Sequence, residues 1–393
     1  MVSRSASAVV PNAWLSAAAA PAASLTTTPP SVTLTAAGSL PRMPLPDVLR
    51  SLLTATGPSG YETAPAAVFR DAASAFAETS VDVMGTSTAR VAGTGDGPTL
   101  AVVGHIDEIG LIVTHVDDNG FLRFTGVGGW DPQILVGQRV ELATRDGAVP
   151  GVIGKKPIHL LSPDDRKKVA EVKDLHIDVG AKDGDEARGL VRIGDVAVLA
   201  GDPIELPNDR AVGRSMDNRL GCYVAYEAAR LVAEAGGAPG DVVAVAAVQE
   251  ETTFGGSATT AYSLRADVAV IVDVTHETGT PGVSVDEIGK HEFGSGPVIE
   301  RGSNINPRVF ERLHETAEGE GIPFTIQASA RHTGTDLDAM HISRGGIPCG
   351  GIGIPLRYMH SSVEMVQLDD VADAARLIAA FAQGLAADTS FVR

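Results

Sequence analysis

The sequence is poor in cysteine, in basic residues and in long hydrophobic runs. Its 393 residues include two cysteines, Cys222 and Cys349, in no zinc-binding or redox spacing. This argues against a disulfide-stapled secreted protein and favours reduced thiols in a cytoplasmic one. Lysine and arginine number 31 against 49 acidic residues, so we expect no nucleic-acid partner. No apolar run reaches the length of a membrane span, and we expect no membrane partner.

The composition nevertheless supports a folded protein. Apolar residues make up 44% of the chain, enough for a sizeable core, and the length suggests two or three domains. Residues 1–42 differ from the rest, being rich in Ala, Ser, Thr and Pro with only two charged residues, Arg4 and Arg42. We expect a disordered tail there, or a true translation start at Met43. Prolines interrupt its faintly apolar stretch, which disfavours a secretion signal.

Short apolar segments rich in β-branched residues lie at 100–104, 242–248 and 268–272. They do not alternate with polar residues, which is typical of strands buried on both faces of a parallel or mixed sheet. Helical patterns lie between and after them, at 220–235, 307–319 and 368–386. The alternation predicts an α/β fold, a mixed sheet flanked by helices.

The segment 111–205 has a different pattern. Glycines are frequent, short segments alternate in polarity, and no long helical pattern occurs. We therefore expect a small β-barrel or sandwich inserted into an α/β domain formed by residues 43–110 and 206–388.

Polar residues follow the apolar segments where each predicted strand ends. His105 and Asp107 follow the first, Glu250 and Glu251 the second, and Asp273 the third; a later apolar run leads to His360. Ligands of open α/β sheets bind at the carboxyl ends of strands, so these side chains are expected to form one cluster.

Each residue also has a simpler interpretation. A histidine at a strand end is commonly a hydrogen-bonded surface residue, and a Glu-Glu pair is commonly solvated. Asp217 precedes a helical segment and alone would be an N-cap. Five such placements together favour the cluster.

The residue types indicate a metal site. Histidines and carboxylates without cysteine suit Zn²⁺ or Co²⁺, with Mn²⁺ also possible. About five ligands exceed the needs of one tetrahedral catalytic zinc and fit two metal ions that share a bridging carboxylate. Asp107 lies two residues after His105, on the same face of a strand, where its carboxylate can accept the second imidazole N–H.

The chain resembles the tetrahedral aminopeptidase and glutamyl aminopeptidase family, some members of which have been labelled endoglucanase. The resemblance runs from about residue 44 to 386. It is carried by motifs that begin at His105, Gly128, Met216, Gln249, Asp273, Gly334 and Arg357.

The resemblance implies a catalytic domain that resembles the dinuclear zinc aminopeptidases, with a zinc or cobalt pair, which removes N-terminal residues from peptides. It also implies a PDZ-like inserted domain used for dimerisation, and homo-oligomers from dimers to dodecamers. By position, His105 and His360 are ligands on different metals, Asp217 bridges them, and Glu251 and Asp273 complete the two sites. Glu250 is the general base that activates a water bridged by the metals, and Asp107 orients His105.

The sequence departs from the family pattern at two places, Thr252–Gly256 and Glu277, which leaves the substrate preference open. Other readings also stay open. One is a related metal-dependent amidohydrolase or deacylase. Others are a catalytically silent oligomeric scaffold and a glucanase, for which a metal set would have no purpose.

Overall fold

The computed structural model describes residues 43–393, and the expectations for residues 1–42 lie outside this part of the chain. The described residues contain eleven α-helices and seventeen strands. The helices are α1 (Asp47–Thr54), α2 (Thr63–Ala73), α3 (Pro132–Leu135), α4 (Gly184–Leu190), α5 (Met216–Glu234), α6 (Glu250–Thr253), α7 (Gly255–Leu264), α8 (Val285–Ile288), α9 (Pro307–Glu320), α10 (Leu337–Met340) and α11 (Leu368–Gln383).

The strands are β1 (Glu78–Val81), β2 (Ser87–Val91), β3 (Leu100–His105), β4 (Gly110–Val116), β5 (Phe121–Val127), β6 (Arg139–Thr144), β7 (Gly147–Lys155), β8 (Leu175–Asp178), β9 (Val196–Leu199), β10 (Ile204–Leu206), β11 (Arg210–Gly213), β12 (Val242–Ala247), β13 (Val268–His276), β14 (Val298–Gly302), β15 (Thr325–Ser329), β16 (Cys349–Arg357) and β17 (Glu364–Gln367).

Eleven of these strands form one mixed sheet in the order β1-β2-β12-β3-β13-β16-β17-β11-β10, with β14 paired to β16 and β15 paired to β14. The central four strands, β12, β3, β13 and β16, are parallel. Strands β3 and β12 are buried along their whole length, because helices cover both faces of a parallel sheet and leave no side chain in water. The predicted α/β fold is confirmed.

Helix α5 packs directly on the central strands. A Cβ at Gly104 of β3 would lie 2.3 Å from the carbonyl carbon of Gly221 in α5, so only glycine permits this approach of backbone to backbone. The first residues of α5 are irregular, with non-helical dihedral angles at Asp217 and Asn218. The Asn218 amide donates to the carbonyl of Val272 at 2.7 Å, which fixes the start of α5 beside the carboxyl end of β13.

The remaining six strands form a closed antiparallel barrel, β4-β5-β8-β7-β6-β9. The barrel has its own apolar core, which includes Leu111, Leu122, Leu142 and Ile177. It lies in the chain between β3 and α5, and the predicted inserted β-barrel is confirmed. No helix among residues 43–393 is long and apolar enough to cross a membrane.

One strand continues beyond its predicted end. The sequence predicts that the third apolar segment ends before Asp273, whereas β13 continues to His276 and pairs with β16 as far as Leu356. Gly351 and Gly353 of β16 lack side chains, and the space above them takes polar side chains from neighbouring strands, Glu300 and Thr275. Because β13 extends to His276, Asp273 lies inside this strand and not after its end.

Candidate metal centre

Six of the seven predicted site residues come together at the carboxyl edge of the parallel strands. His105 ends β3, Asp273 lies in β13, and Glu250 and Glu251 begin α6 directly after β12. Asp217 lies in the irregular start of α5, and His360 follows β16. Parallel strands present their carboxyl ends at one edge of a sheet, so residues distant in the chain meet there.

Asp217 lies between the two histidines. Its Oδ1 is 3.2 Å from His105 Nε2, and its Oδ2 is 3.3 Å from His360 Nε2. One carboxylate thus faces two imidazoles with different oxygens. Asp217 is also not an N-cap, because the capping side chain at the start of the regular helix is Asn218, whose Oδ1 accepts the backbone N–H of Gly221 at 2.9 Å. That simpler interpretation of Asp217 is wrong.

The other carboxylates divide between the two histidines. Asp273 Oδ1 is 4.0 Å from His105 Nε2, and Glu251 Oε1 is 3.4 Å from His360 Nε2. Glu250 lies on the His105 side, with Oε2 3.6 Å from Nε2. Two groups have ligand atoms within 4.8 Å of one another and could hold a cation: His105 with Asp217 and Glu251, and His105 with Glu250 and Asp273.

Both histidines present Nε2 to the cluster because their other nitrogens are occupied. His105 Nδ1 is 3.2 Å from the carbonyl oxygen of Asp107 and 3.4 Å from its Oδ1. His360 Nδ1 is 2.8 Å from the carbonyl oxygen of Gly129. An Nδ1–H that donates to these oxygens leaves the Nε2 lone pair free for a cation.

The contact of Asp107 with His105 has a different origin from the predicted one. Strand β3 ends at His105, so Asp107 lies in the turn that follows and not on a shared strand face. Its carboxylate oxygens accept the backbone N–H groups of Glu250 and Glu251, each at 3.1 Å. Asp107 therefore joins the end of β3 to the start of α6.

The barrel contributes to this edge of the sheet. Gly129, whose carbonyl faces His360, follows β5 of the barrel. Gly128 has a positive φ of 76°, and a Cβ there would lie 2.6 Å from a methyl carbon of Ile109 and 3.2 Å from Glu251 Oε2. Glycine is required for this close approach, and the barrel forms part of the wall of the site.

Burial raises the pKa of most of the carboxyl groups. Burial, with the neighbouring charges of Asp273 and others, raises the pKa of Glu250 to about 10 despite the opposing effect of His105. Burial also raises the pKa of Glu251 and Asp273. Of the four carboxyl groups of Asp217, Glu250, Glu251 and Asp273, only that of Asp217 has a lowered pKa, since hydrogen bonds from both histidines outweigh its burial. Among residues 43–393, no lysine or arginine forms a salt bridge with these four carboxylates.

The pKa values of both histidines are also raised, but by their acidic partners and not by burial. Hydrogen bonds to Asp217 and Glu251 raise the pKa of His360 to about 11. Burial lowers the pKa of His105, but the charge of Glu250 and contacts with Asp107 and Asp217 raise it well above its usual value. The cluster therefore draws protons to balance its negative charge. Divalent cations would supply the same balance, and the imidazole and carboxylate donors fit them.

Sequence reasoning missed Glu364, which supports two of these residues. Glu364 is 2% exposed. Its Oε2 accepts the backbone N–H of Asp217 at 3.2 Å, and its Oε1 accepts that of His360 at 2.8 Å. The sequence offers no strand-end signal for this residue, because its partners are backbone groups that only the tertiary structure brings near.

A second carboxylate that sequence reasoning missed is that of Glu108, which directly follows Asp107 in the chain. It accepts hydrogen bonds from Arg219 at 2.8 Å, from Arg214, and from the backbone N–H of Gly57 at 3.1 Å. The two arginines lower the pKa of Glu108 despite its burial. This pairing anchors the turn that contains Asp107.

A cavity of about 340 Å³ opens beside the cluster. It is lined by His105, Asp217, Glu250, Glu251, Asp273, Val274, Thr275, His276, Glu300, Gln327, Thr333, Gly334, Thr335, Met359 and His360. No lysine or arginine is among these lining residues. The cavity is large enough for one amino-acid side chain and is bordered by the cluster on one side.

The chain is similar to known aminopeptidases. A family model described as M42 glutamyl aminopeptidase matches residues 85–377. Over 348 residues the chain is 32% identical to the lysyl aminopeptidase of Pyrococcus furiosus, an alignment that covers 86% of this chain and 97% of that protein.

Two solved structures extend the likeness to the fold. The TET aminopeptidase of a Thaumarchaeota archaeon from marine sediment is similar with a TM-score of 0.82 and 34% identity, over 86% of this chain and 96% of that one. The TET1 peptidase of Pyrococcus horikoshii, which can assemble into a tetrahedron or a large octahedral shell, has a TM-score of 0.76 and 30% identity, over 86% and 99%.

Proposed function

The chain belongs to the M42 glutamyl aminopeptidase family, and from that membership we propose that it is an aminopeptidase that removes N-terminal residues from peptides and depends on two divalent metal ions. The observation that carries the proposal is the position of Asp217, whose two oxygens face His105 and His360 at 3.2 and 3.3 Å. A carboxylate held in this way is suited to bridge two cations.

The residues present fit a metal pair. Asp217 would be shared, His105 and Asp273 would complete one site, and His360 and Glu251 the other. Zn²⁺ and Co²⁺ suit this set of nitrogen and oxygen donors, and Mn²⁺ is a further possibility. The ions would lower the pKa of a water molecule and polarise the carbonyl group of the substrate.

Glu250 is the general base in this proposal. Its carboxylate borders the cavity and lies beside His105, with Oε2 3.6 Å from Nε2. Nearby cations would lower its raised pKa toward neutral pH, where a base works best. Glu250 then takes the proton of the attacking water and delivers it to the amine nitrogen that leaves. The hydrogen bond from its backbone N–H to Asp107 holds it in place.

The first experiment separates this activity from the alternatives. The full chain is assayed on aminoacyl-4-nitroanilides, acylated amino acids and carboxymethylcellulose, after chelator treatment and after addition of Co²⁺ or Zn²⁺. We expect cleavage of nitroanilides alone, lost with chelator and restored by metal. Preference for acylated amino acids would indicate a deacylase, cleavage of cellulose a glucanase, and no turnover a silent scaffold.

A pair of neighbouring variants tests the assigned roles. Glu250→Gln should keep its metal content and lose turnover by roughly 10²–10⁴-fold, the usual contribution of a general base. Glu251→Gln should lose metal, because its carboxylate is one of the proposed ligands. Metal content is measured by mass spectrometry beside each rate. Equal metal content and equal loss of rate in both variants would show that the roles are assigned incorrectly.

We also propose that the chain forms homo-oligomers through its barrel. The segment between β7 and β8 exposes large apolar side chains, with Ile158 58% and Leu160 67% exposed. Exposed apolar groups of this size are typical of protein contact surfaces. The assembling TET1 peptidase, similar over almost its whole length, supports the same conclusion.

A further inference from the structure

Among residues 43–393, no side chain pairs with the carboxylate of Glu300. It lies in β14 and lines the cavity beside the metal cluster. The residue is only 8% exposed, and its Oε2 is fully buried without a hydrogen-bond partner. Buried carboxylates are normally paired or hydrogen-bonded, since an unpaired one is costly. Since Glu300 also lines the cavity, a cation bound there would give this carboxylate the partner that it lacks.

The surrounding residues leave Glu300 free for such a ligand. Gly351 of β16 makes room for it, since a Cβ there would lie 2.4 Å from Glu300 Oε2. Thr275 donates its hydroxyl to Gln327 Oε1 at 2.7 Å, so the hydroxyl proton of Thr275 is not available to Glu300. Burial, and to a lesser degree the charge of Asp338, raises the pKa of Glu300 to about 7. A cation near Glu300 would lower this pKa again and favour the charged carboxylate.

The position of Glu300 suits the far end of a long side chain. Asp273 of β13 pairs with Gly353 of β16, which pairs in turn with Val298 of β14. Adjacent strands are about 4.8 Å apart, so β14 lies about 10 Å from β13 across this part of the sheet. A substrate whose amino end is at the metal cluster would extend its first side chain toward Glu300.

We propose that Glu300 is a specificity-determining residue that favours an N-terminal lysine or arginine and disfavours an acidic residue. The inference rests on the proposed aminopeptidase function. The hydrogen bond between a carboxylate and an ammonium or guanidinium group is charge-assisted, and it is strong where water is excluded. An acidic side chain would instead meet Glu300 and the metal-site carboxylates in a cavity lined by no lysine or arginine, and like charges in a buried site repel.

The test compares lysine with norleucine, which has the same carbon chain without the ammonium group. Rates are measured on lysyl-, norleucyl- and glutamyl-4-nitroanilide, and binding of lysinamide and norleucinamide to the Zn²⁺-loaded full chain is measured by calorimetry. We expect lysine to be preferred over norleucine by about 10- to 100-fold in kcat/KM and in affinity, the range for a hydrogen bond to a charged group. The glutamyl substrate should be the poorest.

Three variants locate the effect. Glu300→Gln should reduce the lysine preference to within about threefold while norleucyl turnover stays nearly constant. Glu300→Asp withdraws the carboxylate, so arginine, which reaches further, should be favoured over lysine. Glu311→Gln, which removes an exposed acid of α9, should change neither ratio. Melting temperatures verify that each variant is folded.

The outcomes separate this inference from the proposed function. A wild-type protein that treats lysine and norleucine alike, or a preference that survives Glu300→Gln, overturns the role of Glu300 even if peptides are cleaved. Lysinamide binding that depends on Glu300, without turnover of any nitroanilide, supports the subsite and rejects the aminopeptidase proposal.

Discussion

Asp107 accepts the backbone N–H groups of Glu250 and Glu251 with its two carboxylate oxygens, each at 3.1 Å. The same carboxylate lies 3.4 Å from His105 Nδ1. One buried side chain thus positions a proposed ligand from β3 and the Glu-Glu pair that follows β12. The pKa of Asp107 is lowered because, although burial raises it, contacts with His105 and these N–H groups stabilise its charge.

Replacing Asp107 by asparagine should weaken the site without changing its ligands. An amide offers one acceptor where the structure uses two, so one N–H at the start of α6 would face an NH₂ group. We expect metal affinity and turnover to fall by about 10- to 100-fold, the usual effect of a residue that supports metal ligands. Metal titration and kcat/KM measure it.

Asp117→Asn is the control for loss of charge alone, because Asp117 in the barrel hairpin accepts two backbone N–H groups with one oxygen, Oδ1, which asparagine retains. Its metal affinity should stay at the wild-type value. If Asp107→Asn binds metal as tightly as this control, Asp107 does not support the site.

Replacing Glu364 by glutamine should separate Asp217 from His360. Its two oxygens each accept one backbone N–H from these residues, and glutamine can accept only one of them. We expect about a tenfold loss of metal affinity, measured by competition with a chelator. Asp370→Asn removes a similarly buried carboxylate that accepts the N–H groups of Gly294 and Gly296. The Asp370→Asn variant should keep its metal affinity. An equal loss of metal affinity in both variants would show that Glu364 has only a general structural role.

The pairing of Glu108 predicts how stability depends on pH. Arg214 and Arg219 lower its pKa in the folded protein below 4.5. Its stabilisation is therefore present above pH 4.5 and is lost as the pH falls through the lower folded value. Glu108→Gln should cost about 3 kcal/mol at pH 7, since it leaves two buried arginines without their partner. Its melting temperature should then fall less steeply below pH 4.5 than that of the wild type.

Thermal unfolding of the metal-free protein from pH 3 to 7 measures this dependence. Glu311→Gln, at an exposed position, provides the control curve. A wild-type curve no steeper in acid than that of Glu108→Gln would contradict the assignment.

The barrel surface can be tested for its role in assembly. A double change of Ile158 and Leu160 to aspartate places two charges on the exposed apolar segment, and we expect the oligomer to dissociate into smaller units. Light-scattering mass at micromolar concentration measures the change. Ile342→Asp is the control, because Ile342 is 70% exposed but lies outside the barrel. A wild-type protein that is already monomeric at this concentration removes the oligomer proposal.

Excising the whole barrel would test its role in assembly less clearly than the double change of Ile158 and Leu160. The barrel supplies the Gly129 carbonyl that orients His360, and Gly128 lies beside Glu251. Its removal would alter the proposed site together with the assembly. The barrel and the α/β part therefore meet at the cluster of histidines and carboxylates, although all five proposed ligands belong to the α/β part.

The sequence by itself determined the layers of the fold and the edge where polar residues meet. Continuous apolar segments rich in β-branched residues, such as 100–104, are typical of buried strands, and parallel strands direct their carboxyl ends to one edge. The same logic predicts that His105, Glu250 and Asp273 lie in one region of the sheet. The local pattern was sufficient because strand direction is set by connections along the chain.

Only the tertiary structure decided which groups support these residues. Glu364 holds Asp217 and His360 through backbone N–H groups, and Asp107 holds the start of α6 in the same way. Such contacts join segments that are far apart in the chain. Because every residue except proline has the same backbone donor, no residue pattern predicts these contacts. The unpaired carboxylate of Glu300 is of the same kind, because what a buried charge lacks is known only when all its neighbours are in place.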